Sequence, residues 1–154
     1  MYTPIKHYTY PPQRVPDPIF HTDFDGHGKR SFDNIHAYAY VYGQGCALIF
    51  GSLPHAASND FYAEGYRGNK CVLATAAPYL SLGDGCVADG TLANRMLLGN
   101  NTVYVPGGSG ATINCGKTYT FEQWQALGLD GGTAIADVPP ASVIIGWARD
   151  MLGL

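Results

Sequence analysis

Along residues 32–74 apolar and polar side chains alternate with period two, and the alternation is written twice. Ile35, Ala37 and Ala39 interleave with His36, Tyr38 and Tyr40; 26 positions on, Phe61, Ala63 and Gly65 interleave with Tyr62, Glu64 and Tyr66. Just beyond, Gly43, Cys46 and Leu48 recur as Gly68, Cys71 and Leu73, 25 positions later. Period two marks strands with one small or apolar face and one large polar face. A strand pattern that returns after about 25 residues predicts stacked β coils, each placing its apolar side chains above those of the last. The one-position drop falls at the Tyr42/Gly43 corner, where a turn absorbs it.

The same pattern predicts the flanking elements. Phe20, Thr22 and Phe24 alternate with His21, Asp23 and Asp25, a strand closed by the turn Gly26-His27-Gly28. Tyr79 to Leu82, Cys86 to Ala88 and Thr102 to Val105 read as further short strands. Asn34, Asn59 and Asn101 each precede a strand, where asparagine tolerates left-handed backbone angles and bonds the neighbouring coil. Towards the end the period changes. Thr120 and Gln123 form a capping box ahead of a short helix that stops at Gly128. Residues 141–152 place Val143, Ile144, Trp147 and Met151 at helical spacing before Gly153, predicting an amphipathic helix whose apolar stripe covers the last coil.

Composition bounds the function. The 154 residues make one domain by size, and 14 % charged residues with 20 Gly and 11 Tyr suit a turn-rich β protein. Five of the ten prolines lie in residues 1–19, so residues 1–18 read as an extended arm, 19–116 as coils and 117–154 as a C-terminal cap segment. A formal charge of −3 with nine scattered Lys and Arg argues against nucleic acid as partner. No apolar run is long enough to span a bilayer, and the N-terminus lacks a signal-peptide core, so a secreted or cell-surface protein would have its signal outside this chain. Cys46, Cys71, Cys86 and Cys115 lack metal-site spacing; they are expected as buried thiols, with Cys46 and Cys71 stacked on adjacent coils, or as a disulfide somewhere among the four.

The closing segment carries a resemblance. LGNNTVYVPGG at 98–108, INCG at 113–116, TFEQWQALGLDGGT at 120–133 and DVPP at 137–140 are similar to the last coils of pectate-lyase-like proteins, with Trp124, Gly128, Asp130, Asp137 and Pro139 at the matching places. That resemblance implies an all-β chain, a right-handed parallel β-helix of about four or five coils with a C-terminal capping α-helix. It implies the C-terminal section of a carbohydrate-active protein, a polysaccharide hydrolase or lyase; the alternative is a non-catalytic structural or carbohydrate-binding module that assembles with other chains. Such proteins stack more coils than this chain can supply. Upstream coils or another polypeptide are therefore expected at the N-terminal end of the stack.

Two clusters carry candidate chemistry. Asp23 and Asp25, one strand repeat apart at about 7 Å, are spaced for acid and base work across a glycosidic bond. The adjoining Gly-His-Gly resembles the polygalacturonase motif, although that family's other acidic and Arg-x-Lys motifs are absent. The second cluster is the polar face of the coils: His36, Tyr38, Tyr40, Tyr62 and Tyr66 with Arg67 at its margin as sugar-binding groups, and Glu64 as a proton-transfer group. No cofactor is expected. Calcium, which related lyases use, has no supporting motif here.

Overall fold

The computed structural model describes residues 20–22, 30–39, 45–49, 64–76, 78–83, 86–89, 92–94 and 96–154. In chain order the strands are β1 (Phe20–Thr22), β2 (Arg30–Phe32), β3 (Ile35–Ala39), β4 (Ala47–Ile49), β5 (Glu64–Arg67), β6 (Lys70–Leu73), β7 (Pro78–Leu82), β8 (Met96–Gly99), β9 (Thr102–Val105), β10 (Thr112–Cys115), β11 (Lys117–Thr120) and β12 (Ala134–Asp137). Helix α1 (Phe121–Ala126) follows β11, and α2 (Ala141–Leu152) closes the chain.

The strands divide among three separate sheets, ordered β2-β5-β8, β12-β9-β6-β3 and β1-β4-β7-β10-β11. The first two are parallel throughout; the third is mixed, because β11 turns back at Gly116 and pairs antiparallel with β10. This corrects the single right-handed parallel β-helix expected from the sequence. The error lies in the period. In the four-stranded sheet Ile35 pairs with Lys70, Lys70 with Thr102 and Thr102 with Ala134, so partners are 32 to 35 positions apart rather than 25. Cys46 and Cys71, which set the 25-residue match, belong to different sheets: Cys46 leads into β4 and Cys71 lies in β6.

Those two cysteines form a disulfide with Cα atoms 5.9 Å apart, and Cys86 pairs with Cys115 at 5.0 Å. Buried thiols are thus replaced by two covalent links. Proximity across the space between sheets brought Cys46 to Cys71, and one bond ties the mixed sheet to the four-stranded one. Closing a loop of this length restricts the unfolded chain and contributes about 3 kcal/mol. Around the links Ala47, Ile49, Val72, Leu80, Val103 and Ile113 are almost wholly buried. β4, and β7 beyond its first residue, are buried at every position, as parallel strands covered on both faces must be.

A repeated corner holds the three-stranded and four-stranded sheets in register. Asp33, Gly68, Asn100 and Gly132 each take a positive φ; of the residues that follow them the last three are buried and the first is exposed. Those next residues are Asn34, Asn69, Asn101 and Thr133. Asn69 Oδ1 accepts from the Asn34 backbone N–H at 2.9 Å while its Nδ2 donates to the Ser31 carbonyl at 2.8 Å. One step on, Asn101 Oδ1 accepts from the Asn69 N–H at 2.9 Å, Asn101 Nδ2 donates to the Tyr66 carbonyl at 3.1 Å, and Thr133 Oγ1 accepts from the Asn101 N–H at 3.0 Å. At Gly68 a side chain would be both strained by φ +71° and driven into the Asp33 carboxyl. Corner asparagines were expected at 34 and 101; Asn59 lies outside the described residues.

Both helices form where their sequence signals lie. Thr120 Oγ1 accepts from the Gln123 N–H and Gln123 Oε1 from the Thr120 N–H, the reciprocal box that starts α1. Gly153 ends α2 in the left-handed conformation. The position of α2 differs from expectation, for it lies across the four-stranded sheet. Trp147 packs on Tyr104 of β9 at 5.2 Å with Lys70 Nζ of β6 5.4 Å from its ring, and the helix reaches β3. Ile144 is buried, but Val143 is 40 % exposed.

Candidate functional site

The polar face expected from the alternation does not form as one exposed patch. His36 and Tyr66 point inward and are buried, their rings 5.4 Å apart and tilted by 48°. His36 Nε2 meets Ser31 Oγ at 3.1 Å. Burial pushes the His36 imidazole below its ordinary value, against a smaller opposing effect of its hydrogen bond with Asn69. Tyr66 is raised, first by burial and then by the negative charge of Asp130. Neither side chain is displayed to a polysaccharide.

Tyr38 departs from His36 because the strand is bulged. The register of β3 on β6 slips between Ala37 and Ala39, and Tyr38 sits there at φ 58°. A bulge breaks the alternation and re-aims the side chain, leaving Tyr38 about half exposed. An aromatic residue in this backbone region is strained, and such strain concentrates at functional sites. Glu64 lies on β5 with its backbone opposite Met96. Asp23, Asp25, Tyr40 and Tyr62 lie outside the described residues, so the paired-carboxylate cluster and half of the aromatic face do as well.

Arg67 is where the expectation meets a concave surface. β2, β5 and β8 bring Phe32 opposite Arg67 and Arg67 opposite Gly99 on the outer face of the three-stranded sheet. Phe32, Asp33, Arg67, Gly68, Leu97 and Asn100 line a cleft of about 300 Å³ there. The Arg67 guanidinium donates from Nε and Nη2 to the Asn100 side-chain oxygen at 3.2 and 3.0 Å, with the amide turned to face it. That two-point contact fixes the guanidinium plane at the cleft wall. Phe32 is 39 % exposed, and its ring lies over Gly65, where a Cβ would come within 2.7 Å of it. Sequence reasoning placed Arg67 at the margin but missed Phe32, Asp33 and Asn100. The signal was present in the corner phrases SFDN, YRGN and LGNN at 31–34, 66–69 and 98–101.

Asp130 lies on the inner side of the same region. Burial raises its carboxyl to about 6, partly countered by the hydroxyl of Thr133, which donates to Oδ1. A broader cleft of about 410 Å³ beside the start of α1 has Glu122 as its charged group; a backbone hydrogen bond, with Thr120, holds that carboxyl below its ordinary value. Among the described residues no three His, Cys, Asp or Glu side chains are placed to hold a metal ion, and no helix is long and apolar enough to cross a membrane. Compared with protein-family models, curated proteins and solved structures, the chain matches none. The resemblance to pectate-lyase-like proteins therefore rests on the sequence motifs alone.

Proposed function

We propose that this chain is a carbohydrate-binding module that holds polysaccharide along the outer face of the three-stranded sheet. The observation that carries the reading is the Arg67 cleft: a guanidinium fixed by Asn100, an exposed aromatic ring at Phe32 and a carboxylate at Asp33 on one concave surface. Sugar hydroxyls both donate and accept, so a fixed arginine and a carboxylate orient them. An aromatic face covers the apolar face of the ring. Two disulfides favour an oxidising compartment, in keeping with a secreted or cell-surface protein.

Hydrolase or lyase chemistry remains the second reading, with Glu64 on the same strand as Arg67 as its candidate group. Co-sedimentation with insoluble neutral and acidic polysaccharides, followed by analysis of the supernatant for released oligosaccharides, tests both. Retention without release supports the binding module. Release of oligosaccharides that Glu64→Gln abolishes would replace it with the enzyme, and no retention on any polymer would remove the carbohydrate reading.

A further inference from the structure

Asn100 lines the Arg67 cleft and opens the run Asn100-Asn101-Thr102, the single Asn-x-Ser/Thr run in the sequence. Such a run marks an acceptor of N-linked oligosaccharide in secreted proteins, and the two disulfides favour the same oxidising route. The fold suits a modified side chain at this place. Asn100 is exposed in a left-handed corner at φ 53°, its backbone N–H donating to the Gly131 carbonyl at 3.0 Å. Gly131 and Gly132 present no side chain beside it, and a Cβ on Gly132 would strike the end of the Asn100 side chain. The contact with Arg67 uses only the side-chain oxygen of Asn100, so it survives substitution at Nδ2. Thr102 is half-buried in β9, so transfer belongs to the chain before it folds, and the fold has only to leave the sugar outside.

We propose that Asn100 is an N-glycosylation site and that the first two sugars of its glycan lie over Arg67 towards Phe32, closing the cleft to other carbohydrate. The donor is a polyprenyl-diphosphate-linked oligosaccharide. Nδ2 bonds to the anomeric carbon as that carbon's bond to the diphosphate breaks; the diphosphate leaves with the electron pair, and Nδ2 gives one proton to a base of the transferase. A secondary amide holds its substituent trans to Cβ, so the anomeric carbon falls on the side of Oδ1, where Arg67 lies. Phe32 on β2 stands two strands from β8, about 10 Å across the sheet, and its exposed ring covers the apolar face of the second sugar. The closure rests on the carbohydrate reading, whereas the modification does not.

The test expresses the full chain behind a secretion signal in a eukaryotic host, as parent, Thr102→Ser and Thr102→Ala. Mass spectrometry should find an oligosaccharide on the Asn100 peptide of the parent and of Thr102→Ser, and none on Thr102→Ala. The glycosylated parent should show nuclear Overhauser contacts between sugar protons and the Phe32 ring. Its retention on polysaccharide should be about tenfold weaker than that of Thr102→Ala. A secreted parent with Asn100 unmodified would overturn the inference, as would a glycan without contact to Phe32 or measurable retention that is equal in parent and Thr102→Ala. Retention by a chain with Asn100 unmodified leaves the carbohydrate-binding module standing without the glycan. A glycan seated on Phe32, with no retention on any polymer even by Thr102→Ala, does the reverse: the cleft then serves the chain's own sugar.

Discussion

The two faces of the three-stranded sheet are made by alternate residues of the same strands, yet they obey different rules. Inward, Ser31 and Tyr66 meet a ladder of asparagines in which side-chain amides satisfy the backbone of the neighbouring strand. Outward, Phe32, Arg67 and Leu97 surround a cleft in which the Arg67 guanidinium contacts the Asn100 side chain. A polar group inside must be paired because water cannot reach it; a polar group outside can wait for a ligand. The comparison assigns stability to the inner face and leaves the outer one to the proposed recognition.

Breaking the inner face should have the largest effect. Asn69→Ala leaves the Asn34 N–H and the Ser31 carbonyl without their partner and removes a link to Asn101, at about 1–3 kcal/mol for each buried group stranded. A loss of about 3–5 kcal/mol is expected in denaturant unfolding. A loss below about 1 kcal/mol would mean that the ladder is ornamental.

Titration sharpens the contrast, because Asp130 and His36 drive stability in opposite directions. Asp130 is held up to about 6 against an ordinary 3.8, so between these values the folded chain keeps a proton that the unfolded chain has released. Stability therefore falls as pH rises through this window, by about 3 kcal/mol in all. His36 is lowered, so below 6.5 the unfolded chain takes up a proton that the folded one refuses, and stability falls as pH drops. Asp130→Asn should gain stability relative to the parent between pH 4 and 7, and His36→Gln should lose the acid-side decline. Parallel pH profiles for parent and both variants would contradict the shifts.

Covering an outer face should make it behave like an inner one. The four-stranded sheet shows this, since α2 lays Trp147 on Tyr104 and Lys70. Trp147 is only half-buried, so Trp147→Ala should cost about 2 kcal/mol, less than a core tryptophan. An unchanged thermal midpoint would show that α2 adds nothing to the sheet beneath it.

Local signals were legible in the sequence and long-range register was not. The Thr120/Gln123 box and the 141–152 helix could be read because capping chemistry and helical spacing are decided within one turn. The repeat was misread because GQGCAL and GNKCVL share letters but not a sheet. The true repeat, a left-handed residue followed by Asn or Thr, is only two residues long and tolerates Asp, Gly or Asn at its first place. His36 and Tyr66 were placed outside because alternation says which residues share a face, not which face is buried. The bulge at Tyr38 then breaks even that parity. Arg67 was found, while its partner Asn100 stayed hidden, since 33 positions separate them and only strand pairing brings them together.

The smallest effect on stability should come from the outer cleft itself. Arg67 is exposed, and its contact with Asn100 lies at the surface, where such interactions contribute little to folding because water competes for both partners. Arg67→Ala should shift the unfolding midpoint by less than about 0.5 kcal/mol. For binding the same change removes the guanidinium that lines the cleft with Phe32 and Asp33, and retention on polysaccharide should fall about tenfold or more. Arg67→Lys sharpens the point: it keeps the charge but loses the planar two-point contact with Asn100, so most of the binding should go with the geometry. Full retention by Arg67→Ala at unchanged stability would show that this cleft is not where the chain meets its ligand. A large loss of stability would show that the outer face is structural after all.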